Sequence, residues 1–173
     1  MATETPIYNK LKSAGKFELR SYPKSIIASV LVDANDHNQA GSQAFGVLAD
    51  YIFGNNNSRS SIAMTAPVSA ASRKNGQYIV SFTMPVKYSL ASLPEPNNSL
   101  VTITPRDPYL AAVVRFSGYT SAKKTDKMTL ELQTWAKSAQ LKLKRSVSVL
   151  RYDAPYKPGF LRRNEISIEV DKK

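Results

Sequence analysis

Cysteine is absent from this chain, and histidine occurs once, at His37. The first absence excludes disulfides, thiolate metal sites and a cysteine nucleophile, and suits a reducing compartment. The second excludes any site built from two imidazoles. No stretch of about 18 apolar residues occurs, so no membrane-spanning helix is expected. Residues 1–10, M-A-T-E-T-P-I-Y-N-K, lack the apolar run of a signal peptide, and the expectation is a soluble, cytoplasmic protein. The usual catalytic signatures are missing as well: no G-x-S-x-G elbow, no phosphate-binding loop, no G-x-G-x-x-G after a strand and no H-E-x-x-H. Asp107, Asp153 and Glu165 could act as acids or bases, but nothing in the sequence pairs them, and an enzyme is not expected.

What is present describes an ordinary folded domain. The 173 residues suffice for one core, and 42% hydrophobic with 21% charged residues fits a globular chain. Ten prolines and nine tyrosines favour strands and turns over a helical bundle. The net charge of +11 is uneven: residues 1–105 carry nine Lys/Arg against six Asp/Glu (+3), and residues 106–173 carry fifteen against seven (+8). Such an excess suits either a solvated basic surface or an anionic partner, whether nucleic acid, a membrane surface or a carboxylate-bearing ligand. The basic run Lys137–Arg151 lacks the interleaved aromatics of a nucleic-acid site, so that partner is not expected.

The hydrophobic pattern divides the chain into elements. Phe17 and Leu19 alternate with charged neighbours over residues 16–22, and residues 26–32 resume as an apolar strand after Pro23. Asn35 and Asp36 are N-cap residues, Gln39 stands in the capping-box position, and Gly54 is a C-terminal stop. Between them Ala40, Ala44, Val47, Leu48 and Tyr51 form one helical face, predicting a helix over 36–53. Ile62–Val68 reads as a strand, Asn75-Gly76 as a type I′ turn, and Gln77–Met84 as the return strand. Leu100–Thr104 and Tyr109–Phe116 follow as strands. A second helix, capped at Thr120 or Ser121, repeats the apolar spacing through Met128, Leu132, Trp135, Ala136 and Ala139. Val147–Tyr152 and Glu165–Val170 close the chain, with Ile166, Ile168 and Val170 inward and Glu165, Ser167 and Glu169 outward. The repeated pattern predicts one domain over 1–173 containing two β-α-β-β units, about 25–85 and 109–170.

Small residues Ala40, Gly41 and Ala44 on the core side of the first helix allow either close helix-to-sheet packing or the approach of a flat ligand. Met64 and Met84 are soft groups able to line a cleft or fill core gaps. Arg162 and Arg163, beside Glu165, suit a salt-bridged strand or contact with an anionic ligand.

Taken together, E-L-R-S-Y, A-D-Y-I-F-G-N-N-N before I-A-M-T-A-P-V, S-F-T-M-P-V-K-Y with L-P-E-P after it, R-F-S-G-Y, and Y-D-A-P-Y-K-P-G-F-L-R-R-N-E resemble the SOUL haem-binding protein family, in order, from about residue 16 to 170. The resemblance implies an α+β fold, a distorted antiparallel β-barrel of two β-α-β-β repeats with two helices packed on it, as in gyrase-inhibitor-like effector-binding domains. It further implies a carrier or buffer of haem or another tetrapyrrole, bound in a hydrophobic cleft beside the first helix. On that reading the cofactor contacts are Phe45, Leu48, Ala49, Ile52 and Met64, with Arg20, Arg162 and Arg163 for an anionic ligand and His37 as the one imidazole. The alternative is a binding module or hydrolase for another small apolar molecule, as among effector-binding relatives. Some relatives carry a histidine where this chain has Ser21, and residues 36–53 here contain no Lys or Arg. The partner expected is a small hydrophobic or anionic ligand, taken up by a monomer.

Overall fold

The computed structural model describes residues 3–171. The strands are β1 (Asn9–Ala14), β2 (Phe17–Tyr22), β3 (Ser25–Asp33), β4 (Val68–Ser72), β5 (Gln77–Thr83), β6 (Thr102–Arg106), β7 (Tyr109–Phe116), β8 (Ser148–Arg151) and β9 (Asn164–Glu169). The helices are α1 (His37–Ile52) and α2 (Ala122–Ser138). All nine strands join one antiparallel sheet in the order β1-β2-β7-β9-β8-β4-β5-β3-β6, curled into a half-barrel, and the fold is α+β. The order is balanced about the β4–β8 pair. On one side β5 and β3 follow, with α1 between β3 and β4; on the other β9 and β7 follow, with α2 between β7 and β8. The strand preceding each set crosses to the other: β2 pairs with β7, and β6 pairs with β3.

Local chemistry sets the helix ends. The Asp36 side chain accepts the Gln39 N–H at 2.8 Å, while Gln39 Oε1 accepts the Asn35 N–H at 2.7 Å, so two donors that a helix leaves free are satisfied reciprocally. Ser121 caps α2 by accepting the Lys124 N–H at 3.2 Å. At the hairpin between β4 and β5, Asn75 and Gly76 both have positive φ, 61° and 72°, as a type I′ turn requires.

Three segments depart from the sequence reading. β1 is fully exposed and carries little apolar signal; it is held to the edge of the sheet by backbone pairing with β2 and by the Lys10–Glu18 ion pair at 2.7 Å. The apolar run at Ile62–Val68 is not a strand along its length. Pro67 has no N–H to give a ladder, so the strand begins at Val68, and the N–H groups of Ile62 and Ala66 are satisfied by the carbonyls of Ile52 and Glu4. In β9 the alternation is real but its outward face is not solvent: Glu165 is fully buried, because other side chains cover the concave side of the sheet.

Both helices lie on the convex side. α1 buries Ala40, Ala44, Leu48, Tyr51 and Ile52 against Ala28, Val30, Ala70, Val80 and Phe82. α2 buries Met128, Leu132 and Ala136 against Ala112, Val114, Val149, Ile166 and Ile168. Ala40 and Ala44 are thus spent on close helix-to-sheet packing, and a Cβ at Gly41 would lie 2.7 Å from Arg151 Nη1. Leu48 is wholly enclosed, so Leu48→Ala should lower the unfolding free energy by about 2–5 kcal/mol through lost burial and the void left behind. A urea titration reads this directly; a midpoint equal to wild type would mean that α1 is not docked as described.

Candidate functional site

The concave side of the sheet is built differently. Along β2, β7, β8 and β9 the residues that point away from the helices are Arg20 and Tyr22, Tyr109, Ala111 and Val113, Leu150, and Glu165 and Ser167. Arg20 donates to Glu165 through two parallel bonds, 2.8 and 2.9 Å, and its Nε donates to Glu18 at 2.6 Å. Arg163 donates to the same Glu165 oxygen through Nε at 3.1 Å and Nη2 at 2.8 Å, and the Tyr152 hydroxyl donates to the other at 2.9 Å. Burial alone would raise the Glu165 pKa, but the guanidinium bonds outweigh it and hold the carboxyl below its ordinary value near 4.5. Burial likewise pushes up the phenols of Tyr22, Tyr109 and Tyr152, which therefore stay neutral at physiological pH.

Next to this network is an aromatic wall. Tyr22 and Tyr109 stack with centroids 4.9 Å apart, Tyr8 tilts onto Tyr22 at 5.4 Å, and the Arg106 guanidinium lies 3.7 Å from the Tyr109 centroid. The wall bounds a cavity of about 760 Å³, a size ordinary for organic ligands. Its lining is mostly apolar: Pro6, Ile7, Ile26, Met84, Pro85, Val86, Tyr88, Leu90 and Pro105 join the two tyrosines, with Lys24 at the margin. Residues 4–7 form one border, tied down where Ala66 N–H donates to the Glu4 carbonyl at 2.9 Å and Val86 N–H donates to Glu4 Oε1 at 2.8 Å. A smaller pocket of about 40 Å³ shares Pro6, Tyr22, Thr83 and Tyr109 with the cavity and is lined by Ser69, Ser81, Ser148 and Ser167.

The residues singled out in the sequence fall in several places. Leu48 and Ile52 are in the α1 core, Met64 packs against that core half-buried, Ala49 is half-buried and Phe45 is exposed. None of these five lines either cavity. Arg20 and Arg163 meet at Glu165. Arg162 lies apart, donating to the Lys157 carbonyl at 2.7 Å and to the Pro155 carbonyl. His37 sits at the start of α1, half-buried, with Nε2 3.0 Å from the Val147 carbonyl and its ring edge-on to Tyr78. Burial lowers its pKa, so the imidazole is neutral at physiological pH. Met84 does line the cavity, whereas Tyr22, Tyr109, Tyr88, Val86 and Leu90 come from three separated segments that no local pattern links.

The structure thus defines an α+β half-barrel with helices packed on one face and an apolar cavity walled by Tyr22 and Tyr109 of the other face together with Ile26, Met84 and Tyr88, which also pack with the α1 core. Residues 3–169 match the family described as SOUL heme-binding protein, and the chain belongs to it. Haem is accordingly the ligand attached to the chain at the level of the family. The human protein named Heme-binding protein 2 is 29% identical over 140 residues, covering 76% of this chain and 68% of the relative. Among solved structures, the C-terminal domain of EcmrR superposes with a TM-score of 0.70 at 13% identity, covering 96% of this chain and 99% of its own. A structure described as SAV2435 bound to tetraphenylphosphonium superposes with a TM-score of 0.58 at 14% identity, covering 90% and 93%. These two are likenesses of fold.

The Glu165 cluster has a measurable consequence. Since the folded pKa of Glu165 is depressed, its contribution is present above the unfolded value and is lost as pH falls through the folded one. Stability measured by urea unfolding should therefore decline below about pH 4.5, with Glu165→Gln declining less steeply. At neutral pH Glu165→Ala would strand the buried Arg20 charge and cost about 3–5 kcal/mol. An unchanged midpoint in Glu165→Ala at pH 7 would remove the pair from its supporting role.

Proposed function

We propose that this protein binds a tetrapyrrole, haem foremost, and acts as a carrier or buffer for it in the cytoplasm, as a monomeric single domain of two β-α-β-β repeats. The observation that carries the reading is the 760 Å³ apolar cavity bounded by stacked Tyr22 and Tyr109, in a chain that belongs to a haem-binding family. A macrocycle is flat and largely apolar, and stacking on tyrosine rings with Ile26, Met84, Val86 and Leu90 around it suits such a body. Lys24, at the margin and without an ion-pair partner among the described residues, suits a ligand carboxylate. The cavity offers no imidazole, and its buried phenols are held neutral, so the residues fit the macrocycle better than they fit strong iron ligation. His37, already bonded to a backbone carbonyl, lies outside it.

The sequence reading puts the ligand instead beside α1, on Phe45, Leu48, Ala49, Ile52 and Met64. Leu48 and Ile52 are fully enclosed, so that site would require the core to open. The two locations separate cleanly with exposed positions, which spare folding: Val86→Glu with Leu90→Glu at the cavity mouth, and Phe45→Glu on α1. In haemin titrations the mouth variant should lose at least about tenfold in affinity, equivalent to 1.4 kcal/mol, and Phe45→Glu should match wild type. The reverse result moves the site to α1. His37→Ala should change haemin affinity by less than about tenfold and leave the ferric spectrum in place; a large Soret shift restored by added imidazole would make His37 the ligand. Protoporphyrin IX should bind as haemin does, and Lys24→Glu should weaken both. Tetraphenylphosphonium, an apolar cation, tests whether the cavity selects against positive charge; preference for it over the porphyrins would exclude a tetrapyrrole site.

A further inference from the structure

The β4–β5 and β8–β9 connections occupy matching places in the sheet order, yet they are built unlike each other. The first is the tight turn over residues 73–76; the second runs from 152 to 163. The longer connection includes a 3-10 turn at Gly159–Leu161 and presents large apolar side chains to solvent: Tyr156 is 91% exposed, Phe160 77% and Leu161 54%. Tyr119, 66% exposed, extends the patch, since its ring lies against Gly159, where a Cβ would be 2.7 Å from Tyr119 Cε2.

The loop is not held together by these side chains. Its own polar groups do that work. Asp153 accepts the Arg163 N–H and a Lys157 ammonium bond, both at 2.6 Å, and Gly118 N–H donates to the Gly159 carbonyl at 2.9 Å. Arg162 donates to the carbonyls of Lys157 and Pro155, and its guanidinium lies 4.8 Å from the Tyr119 centroid. The backbone at the tip is therefore largely satisfied internally, which lowers the desolvation cost of moving it out of water. The lone carboxylate of the loop, Asp153, is neutralised by Lys157, while Arg162 makes no ion pair among the described residues, and Lys123 and Lys124 follow Tyr119 closely in sequence.

We propose that residues 155–162 with Tyr119 form a docking surface for an anionic lipid bilayer. The combination is a set of exposed aromatic and aliphatic side chains on a prearranged loop that carries Arg162, with Lys123 and Lys124 at the start of α2 shortly after Tyr119. It fits insertion at a headgroup boundary, where aromatic rings settle and anionic lipid attracts Lys and Arg. It does not depend on where, or whether, a tetrapyrrole binds, and it places the chain on a membrane surface rather than across one.

The test is co-sedimentation of the full chain with phosphatidylcholine vesicles, with and without phosphatidylserine. Binding should require phosphatidylserine and weaken as salt shortens the screening length below about 8 Å. Tyr156→Ala with Phe160→Ala should reduce binding at least about tenfold while the circular dichroism spectrum is retained, since both side chains are exposed. Lys123→Glu with Lys124→Glu should weaken it too. In a Trp135→Phe background, Phe160→Trp emission should shift to the blue on adding phosphatidylserine vesicles. Three outcomes would overturn the proposal: no sedimentation with either vesicle, equal sedimentation with both, or wild-type binding by the Tyr156/Phe160 variant. The last would indicate that any association is electrostatic alone.

Discussion

The paired Arg20 and Glu165 link strands that do not touch. β2 and β9 lie on either side of β7, and the two side chains meet over it, where Ala111 and Val113 keep the surface low. Because the guanidinium bonds Glu165 through two parallel contacts and Glu18 through a third, its position is fixed in direction as well as distance. Tyr22 follows two residues later on the same face, and its hydroxyl accepts from Arg20 at 3.1 Å. The ring that forms the cavity wall is thus placed by the ion pair behind it, and Tyr109 is placed by Tyr22. A buried ion pair contributes little net stability compared with apolar packing of equal volume. What it supplies here is orientation.

The elements easiest to read in the sequence are those whose ends are written locally. The Asp36–Gln39 and Ser121 caps and the apolar stripes behind them locate α1 and the start of α2 to within a residue or two, and Asn75-Gly76 marks its hairpin. β1 left no trace because its pairing is made by backbone groups and its side chains are all exposed. The Ile62–Val68 run was legible as buried but not as irregular, since Ile62 and Thr65 are enclosed by neighbours distant in sequence. Alternation in β9 separated two faces correctly, yet it carries no information about whether a polar face meets water or other polar groups.

The candidate site was less legible for a geometric reason. The sequence drew attention to the helix that precedes the I-A-M-T-A-P-V motif, and a helix face is readable by periodicity. The cavity instead forms where the ends of β2, β5 and β6 and the start of β7 converge with residues 4–7, so its lining is set by sheet curvature and by the crossing of β2 and β6 between the two sets of strands. Met84 was legible as a soft group able to line a cleft or fill core gaps, but its neighbours Tyr22 and Tyr109 are brought to it only by the fold.

The division of labour between the two faces also accounts for the charge. The concave face spends its cations internally: Arg20 and Arg163 on Glu165, and Arg106 and Lys144 on Glu169. Four cations share these two carboxylates within bonding distance, so their charge is partly neutralised, and none of the four lines the cavity. The excess that remains is on lysines and arginines without an ion-pair partner among the described residues, most of them exposed, and of these Lys24 alone lines the cavity. An anionic ligand in the cavity would therefore be selected by shape and apolar contact first and by a single marginal cation second, whereas the broad basic character belongs to surfaces large enough to meet many charges at once.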